Sequence, residues 1–426
     1  MIKDERLIFA GESLDSLLLI ASSSLAVLFM AWGIGANDLA NAMGTSVGSR
    51  ALTVKKAVIY AAVLNFLGAI LVGIHVTETI QKGIIDPNFF ASNPELLIYG
   101  MLSAMLATAI WIAIATYFGL PISTTHSIVG AVTGFGIIST GIYNINWGIL
   151  LKIAASWVIS PVLGAIIAFL IFQLVQKAIL GREKQRGAAL KLSPFLIFLV
   201  FFVITLSIFY EGLKGLRLPL ERALLVSFII GGIGALSGYF LIEYYSHKYE
   251  FLHLEKIFAY LQVLTACNVA FAHGANDVAN AVGPFAAIYN IVVTNEVSMR
   301  VGVEWWMLAF GGAGIAIGCL VGGMKVMETV GRKITEISPT NGFCAEFGTS
   351  ITVLFFSKLG MPISTSHTIV GAVVGVGLAR GVKALSLKVI RDIVISWLLT
   401  IPVAAAITIG IYFGIEHLLM FNFAAS

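Results

Sequence analysis

Two motifs each occur twice in this chain, in the same order and at nearly the same spacing. GANDLANAMGTSVGS begins at Gly35 and GANDVANAVGPFAAI at Gly274. PISTTHSIVGAVTGFGI begins at Pro121 and PISTSHTIVGAVVGVGL at Pro362. The first pair is offset by 239 residues and the second by 241. Between them lie weaker echoes, HVTETI at His75 and KVMETV at Lys325, and after them come Ser156-Trp157 and Ser396-Trp397. Four blocks in one order mark an internal duplication of roughly 140 to 160 residues, a common plan in secondary transporters. The expected layout is repeat 1 over 1–176 with a hairpin at 97–140, a cytoplasmic loop and connecting helices over 177–255, and repeat 2 over 256–426 with a hairpin at 343–379.

The medium around these repeats follows from charge. Of 426 residues, 58% are hydrophobic and only 11% are charged, less than half the roughly 25% usual in soluble domains. Apolar runs near spanning length recur along the chain, so it is a membrane protein. The runs are long and rich in Leu, Ile, Val, Ala and Gly, which favours helices over the short alternating segments of a β-barrel. The 43 glycines suit close helix packing in lipid. A net charge of +4 without a basic, aromatic-interleaved cluster argues against nucleic-acid binding. Cys267, Cys319 and Cys344 have no metal-ligand spacing and suggest no disulfide framework. The opening MIKDERLIFAGESLD carries both signs and lacks the layout of a cleaved signal peptide.

Lysine and arginine set the orientation, because cytoplasmic loops collect them. The loop after the first GAND block holds Arg50, Lys55 and Lys56, and the loop after the second only Arg300. After the first PIST block there is only Lys152, whereas Arg380, Lys383, Lys388 and Arg391 follow the second. Corresponding loops thus face opposite sides, as inverted repeats require. The expected fold is an all-α integral membrane protein with two inverted-topology repeats. Eight crossings are predicted near 16–48, 57–76, 147–176, 194–211, 222–243, 256–288, 305–325 and 389–418, with two re-entrant helical hairpins carrying the PIST blocks. On this topology the protein is multi-pass in the cell membrane, with both termini extracytoplasmic.

On a helix, Asn37, Asp38 and Asn41 share a face, as do Asn276, Asp277 and Asn280. An intramembrane carboxylate is costly and marks function more often than packing. Two of them with amides alongside offer hard oxygen ligands for Na⁺ or a place for a proton. Gly33, Gly35 and Gly283-Pro284 are expected to let these helices break. In the PIST blocks, Pro121 and Pro362 suit the first helical turn. The hydroxyls of Ser123, Thr124 and Thr125, and of Ser364, Thr365 and Ser366, then lie where backbone N–H groups are unpaired and attract oxyanions. Ordinary N-capping needs one hydroxyl, not three. His126 and His367 read as packing residues just below each tip. Glu78 and Glu328 match between repeats, while Glu346 has Met105 as its counterpart; all three are candidates for coupling or gating.

The doubled GAND and PIST…H signature, in GANDLANA, GANDVANA, GLPISTTHSIVGA and GMPISTSHTIVGA, resembles the PiT family of inorganic phosphate transporters over nearly the whole chain. The resemblance implies phosphate import by cation symport. Ser123, Thr124, Thr125, Ser364, Thr365 and Ser366 would hold phosphate with Asn41 and Asn280 nearby. Asn37, Asp38, Asn276 and Asp277 would hold sodium, a co-substrate; no cofactor is expected. The alternative within the fold is a proton-coupled phosphate or sulfate permease. An anion channel and a membrane hydrolase are the less favoured readings; catalysis gives no reason for two equivalent copies of the motif, so the chain is not read as an enzyme. The expected partners are phosphate, sodium or protons, the lipid bilayer and, in a homodimer, a second copy.

Overall fold

The computed structural model describes residues 14–73, 83–212, 218–248, 254–298, 301–358 and 363–425. Among these residues the chain is helical, without strands. Repeat 1 comprises α1 (Leu14–Gly48), α2 (Val54–Val72), α3 (Pro94–Phe118), α4 (Thr124–Thr140) and α5 (Trp147–Val175). Two connecting helices follow, α6 (Gln185–Leu206) and α7 (Leu220–Lys248). Repeat 2 comprises α8 (Leu254–Thr294), α9 (Trp305–Val321), the short α10 (Met324–Glu328), α11 (Pro339–Lys358), α12 (Thr365–Arg380) and α13 (Leu387–Ala425).

Among the described residues, eight helices are long and apolar enough to cross a membrane. Seven match predicted crossings; the eighth is α3, expected only as a hairpin arm. The crossing predicted at 305–325 is instead a pair of helices bent by 67°. The bend falls at Gly322-Gly323, where Gly323 adopts φ +86° and a Cβ would lie 2.2 Å from the Ala36 carbonyl. Only glycine takes this backbone conformation freely while allowing so close an approach to α1.

The expected breaks beside the GAND motifs are absent. Helix α1 runs unbroken through Gly33 and Gly35, and α8 runs through Gly283-Pro284 to Thr294. These glycines serve contact rather than breakage. A Cβ on Gly35 would sit 1.9 Å from the Ile315 carbonyl of α9, and one on Gly274 would sit 2.0 Å from the Asn65 carbonyl of α2. The hairpins use the same device. Gly130 and Gly134 of α4 abut Ile401 and Ala405 of α13, while Gly371 and Gly375 of α12 abut Pro161 and Ala165 of α5. Small residues spaced by four let helix backbones approach closely.

Each repeat therefore packs through the other: α1 on α9, α8 on α2, α4 on α13 and α12 on α5. The two GAND helices also lie side by side. Ser49 near the end of α1 meets Gln262 near the start of α8 at 2.7 Å, and Asp38 meets His273 at 3.2 Å. Residue numbers rise on one helix as they fall on the other, so α1 and α8 run antiparallel. Helices α6 and α7 pair with each other at the periphery, and α7 exposes Leu225, Phe228, Ile233, Leu236 and Phe240, a surface suited to lipid.

Candidate functional site

The first hairpin turns where α3 ends on Gly119, at φ +71°. A short extended stretch leads to Ser123, whose hydroxyl accepts the His126 N–H at 3.2 Å and caps α4. Ser364 caps α12 through the His367 N–H at the same distance. One hydroxyl of each triplet is thus the ordinary cap. The others are buried at the helix starts, where unpaired N–H groups carry partial positive charge.

The two starts meet. The His126 and His367 rings lie 4.3 Å apart between centroids. The GAND amides reach the hydroxyls of the opposite repeat. Asn41 Nδ2 donates to Ser366 Oγ at 2.7 Å and to Asp38 Oδ1 at 2.6 Å. Asn280 Nδ2 lies 3.4 Å from both Thr124 Oγ1 and Thr125 Oγ1, and 3.1 Å from Asp277 Oδ1. Ser366 Oγ is also within reach of Asp38 Oδ1 at 3.1 Å and of the Ile122 carbonyl at 2.9 Å. Thr365 is buried beside them. Pro284 lies four residues beyond Asn280, inside the same helix. It has no N–H to donate, so the Asn280 carbonyl is released from the helix ladder.

Asn37 does something different. Its Nδ2 donates to Thr116 Oγ1 at 2.9 Å and to the Leu120 carbonyl at 3.1 Å, and its Oδ1 accepts the Ile122 N–H at 3.2 Å. It grips the hairpin reversal. Asn276 is half-buried, and the segment 359–362, which corresponds to that reversal, lies outside the described residues.

His273 was not singled out in the sequence. It sits just before the second GAND motif, where the first repeat has Ile34. Its Nε2 lies 3.2 Å from Asp38 Oδ2 and 2.8 Å from Asp277 Oδ2, so it bridges the acids of the two repeats. Its Nδ1 lies 2.6 Å from Asn65 Oδ1. The Asn65 amide N–H₂ is turned to the Ala61 carbonyl, so Nδ1 is the donor. A histidine four residues before an intramembrane aspartate, on one helix face, was the available signal.

The three glutamates part company. Glu346 is fully buried in α11. Its carboxylate accepts from Ser46 Oγ and Thr265 Oγ1, both at 2.8 Å, from Gln262 Nε2 at 3.4 Å, and from Thr45 Oγ1. Thr45 lies two turns from Asp38, about 10 Å along α1. Glu328 is exposed, 3.8 Å from Lys333, and does not join the chamber. Glu78 lies outside the described residues.

The histidines below the tips pack as expected. His126 lies tilted by 34° against Trp157 at 3.5 Å, and His367 stacks on Trp397 at 3.6 Å. Pro161 frees the Trp157 carbonyl from its helix bond, and His367 Nδ1 takes it at 3.2 Å. In the other copy the proline, Pro402, is five residues beyond its tryptophan instead of four, and both His126 ring nitrogens are without hydrogen bonds.

Paired hydroxyl-bearing helix starts facing paired acids across a pseudo-twofold arrangement fit an anion and a cation held together. Residues 34–408 match the model of the phosphate transporter family. The chain belongs to that family. Among the family's members it is similar to a candidate phosphate permease of Pyrococcus horikoshii, 49% identical, with 91% of this chain and 95% of that one covered. It is 42% identical to the chloroplastic inorganic phosphate transporter 2-1 of Arabidopsis thaliana, over 94% of this chain and 72% of the relative. A solved structure titled "The sodium-dependent phosphate transporter" superposes with a TM-score of 0.84 at 42% identity, covering 94% of this chain and 99% of that one.

Proposed function

We propose that this protein is a secondary active transporter that imports inorganic phosphate together with sodium. The observation that carries the proposal is the crossing of Asn41 to Ser366 and of Asn280 to Thr124 and Thr125. It joins the tip of each hairpin to the acidic helix of the other repeat. The N-terminal ends of α4 and α12 supply backbone N–H groups and partial positive charge for an oxyanion. Thr124, Thr125, Thr365 and Ser366 add neutral donors, and Asn41 and Asn280 close the ring. Ser123 and Ser364 act on the anion indirectly, by holding the first turns in shape.

Neither motif contains Lys or Arg, so no fixed positive charge traps the anion against release. Asp38 and Asp277, with the amide and carbonyl oxygens around them, hold the cation. Asn37 keeps the first hairpin reversal in place for them. An anion taken from water alone into this buried site would be costly; sodium offsets both its charge and that of the acids. Glu346, among hydroxyls about two turns away, offers a second coupling position on the same helix bundle. Exchange of the site between the two sides follows if the repeats rock about their glycine seams.

Purified protein in proteoliposomes tests this. Labelled phosphate should accumulate under an imposed sodium gradient, with sulfate a poor competitor. Accumulation driven equally by a proton gradient without sodium, or sulfate uptake at the same rate, would contradict it.

A further inference from the structure

Asp38, His273 and Asp277 place a ring nitrogen and two carboxylate oxygens within 4.8 Å of one another, all buried. His273 and Asp277 are i, i+4 on one face of α8, the spacing with which helices present metal-binding pairs. Asp38 comes from α1 of the other repeat. Within this cluster His273 Nε2 faces the Oδ2 atoms of both aspartates at ion-pair distance, so one nitrogen and two carboxylate oxygens converge on one point. With Nδ1 as donor to Asn65, Nε2 faces the two carboxylates either as N–H or as a free ligand nitrogen, and a bound cation would take the place of the Nε2 proton.

The ligand chemistry says which kind. Sodium, magnesium and calcium prefer oxygen, whereas an imidazole nitrogen favours borderline divalent ions such as Zn²⁺ and Co²⁺. With metal–ligand distances of about 2.0–2.2 Å, the ligand atoms of a tetrahedral site sit roughly 3.3–3.6 Å apart. The observed separations of 2.8 and 3.2 Å are shorter, so the ligands would part by a few tenths of an ångström to admit the ion. One divalent ion also neutralises both aspartates, which matters where charge is costly. Asn65 supplies the outer partner that fixes ring orientation in histidine metal sites.

We propose that Asp38, His273 and Asp277 form a binding site for a divalent transition-metal ion of the Zn²⁺ or Co²⁺ type, which staples α1 to α8 and blocks sodium-driven uptake. The site stands on its own geometry; only its effect on uptake rests on the sodium reading above. Repeat 1 cannot form the mirror-image site, because Ile34 replaces the histidine.

Cobalt titration of the purified protein in sodium-free buffer without phosphate provides the test. One Co²⁺ per chain should bind with the visible absorption of a low-coordinate site, and Zn²⁺ should displace it. His273→Gln should weaken binding at least 100-fold. His273→Cys should restore it and add a thiolate-to-cobalt charge-transfer band absent from the wild type, so ligation can be read even if the glutamine variant folds poorly. No cobalt spectrum, or a spectrum unchanged in both variants, would overturn the proposal. In proteoliposomes, Zn²⁺ should inhibit uptake and sodium should relieve it. Inhibition that sodium cannot relieve would overturn the blocking role. Loss of all sodium-driven uptake with an intact cobalt spectrum would instead refute the transport reading alone.

Discussion

The two repeats agree at the hydroxyl-bearing helix starts and differ around the buried acids. Hydroxyl tips, crossing amides and glycine seams recur in both halves with little change. Each tip presents a cap and further hydroxyls, and each glycine pair sits on the proline-bearing helix of the other repeat. His273 and Glu346 have no such twins; Ile34 and Met105 stand in their places. A tetrahedral anion can be shared by two equivalent helix starts. On the proposed function, a cation pathway with a direction needs a one-sided feature, and His273 and Glu346 are the residues that could supply it.

Removing either acid should break the comparison most severely. Asp38→Asn and Asp277→Asn are each expected to lower sodium-driven uptake about 100-fold, close to 3 kcal/mol, and to flatten its sodium dependence. Unchanged sodium titration curves in both variants would make the acids structural. Glu346→Gln should reduce uptake by about tenfold with phosphate binding preserved, because four donors would face a neutral amide; equal losses of binding and uptake would join Glu346 to the anion site.

The seams sharpen the comparison. A Cβ on Gly371 would lie 2.2 Å from the Pro161 carbonyl, against 2.7 Å from the Ile401 carbonyl for Gly130. Gly371→Ala should therefore lower the melting temperature more than Gly130→Ala, by a difference of about 1–2 kcal/mol in overpacking cost. Thermal unfolding in detergent would reveal the reverse order if the seams were mobile.

A smaller effect tests the tryptophans. Trp397 Nε1 donates to the Pro121 carbonyl at 3.0 Å, while Trp157 Nε1 has no partner. Trp397→Phe should slow uptake about fivefold, the worth of one hydrogen bond near 1 kcal/mol. Trp157→Phe should stay within about twofold, since ring contact survives and no bond is lost. Equal effects would mean that ring volume alone matters. Smallest of all, Glu328→Gln should leave uptake unchanged, as an exposed ion pair contributes little.

Much of this was legible in the sequence because duplication is a written record. GAND and PIST mark segments that the structure brings together, and lysine placement points to inverted halves, which the antiparallel run of α1 and α8 fits. Three features were not legible. Glycine beside GAND reads equally as a break or as a seam, and only the facing helix decides; here Ile315 and Asn65 do. Asn37 and Asn41 look alike in one motif, yet one grips Leu120 and Ile122 while the other reaches Ser366. Their difference depends on which chain segment passes each face. His273 has no twin in repeat 1, where Ile34 stands in its place, so the duplication does not mark it.

Equilibrium binding of labelled phosphate to purified protein in sodium is the decisive measurement. One phosphate should bind per chain, and Thr125→Ala or Ser366→Ala, in opposite hairpins, should each weaken that same event about tenfold. Two independent phosphates per chain, each sensitive only to its own hairpin, would show that the two helix starts do not share an anion.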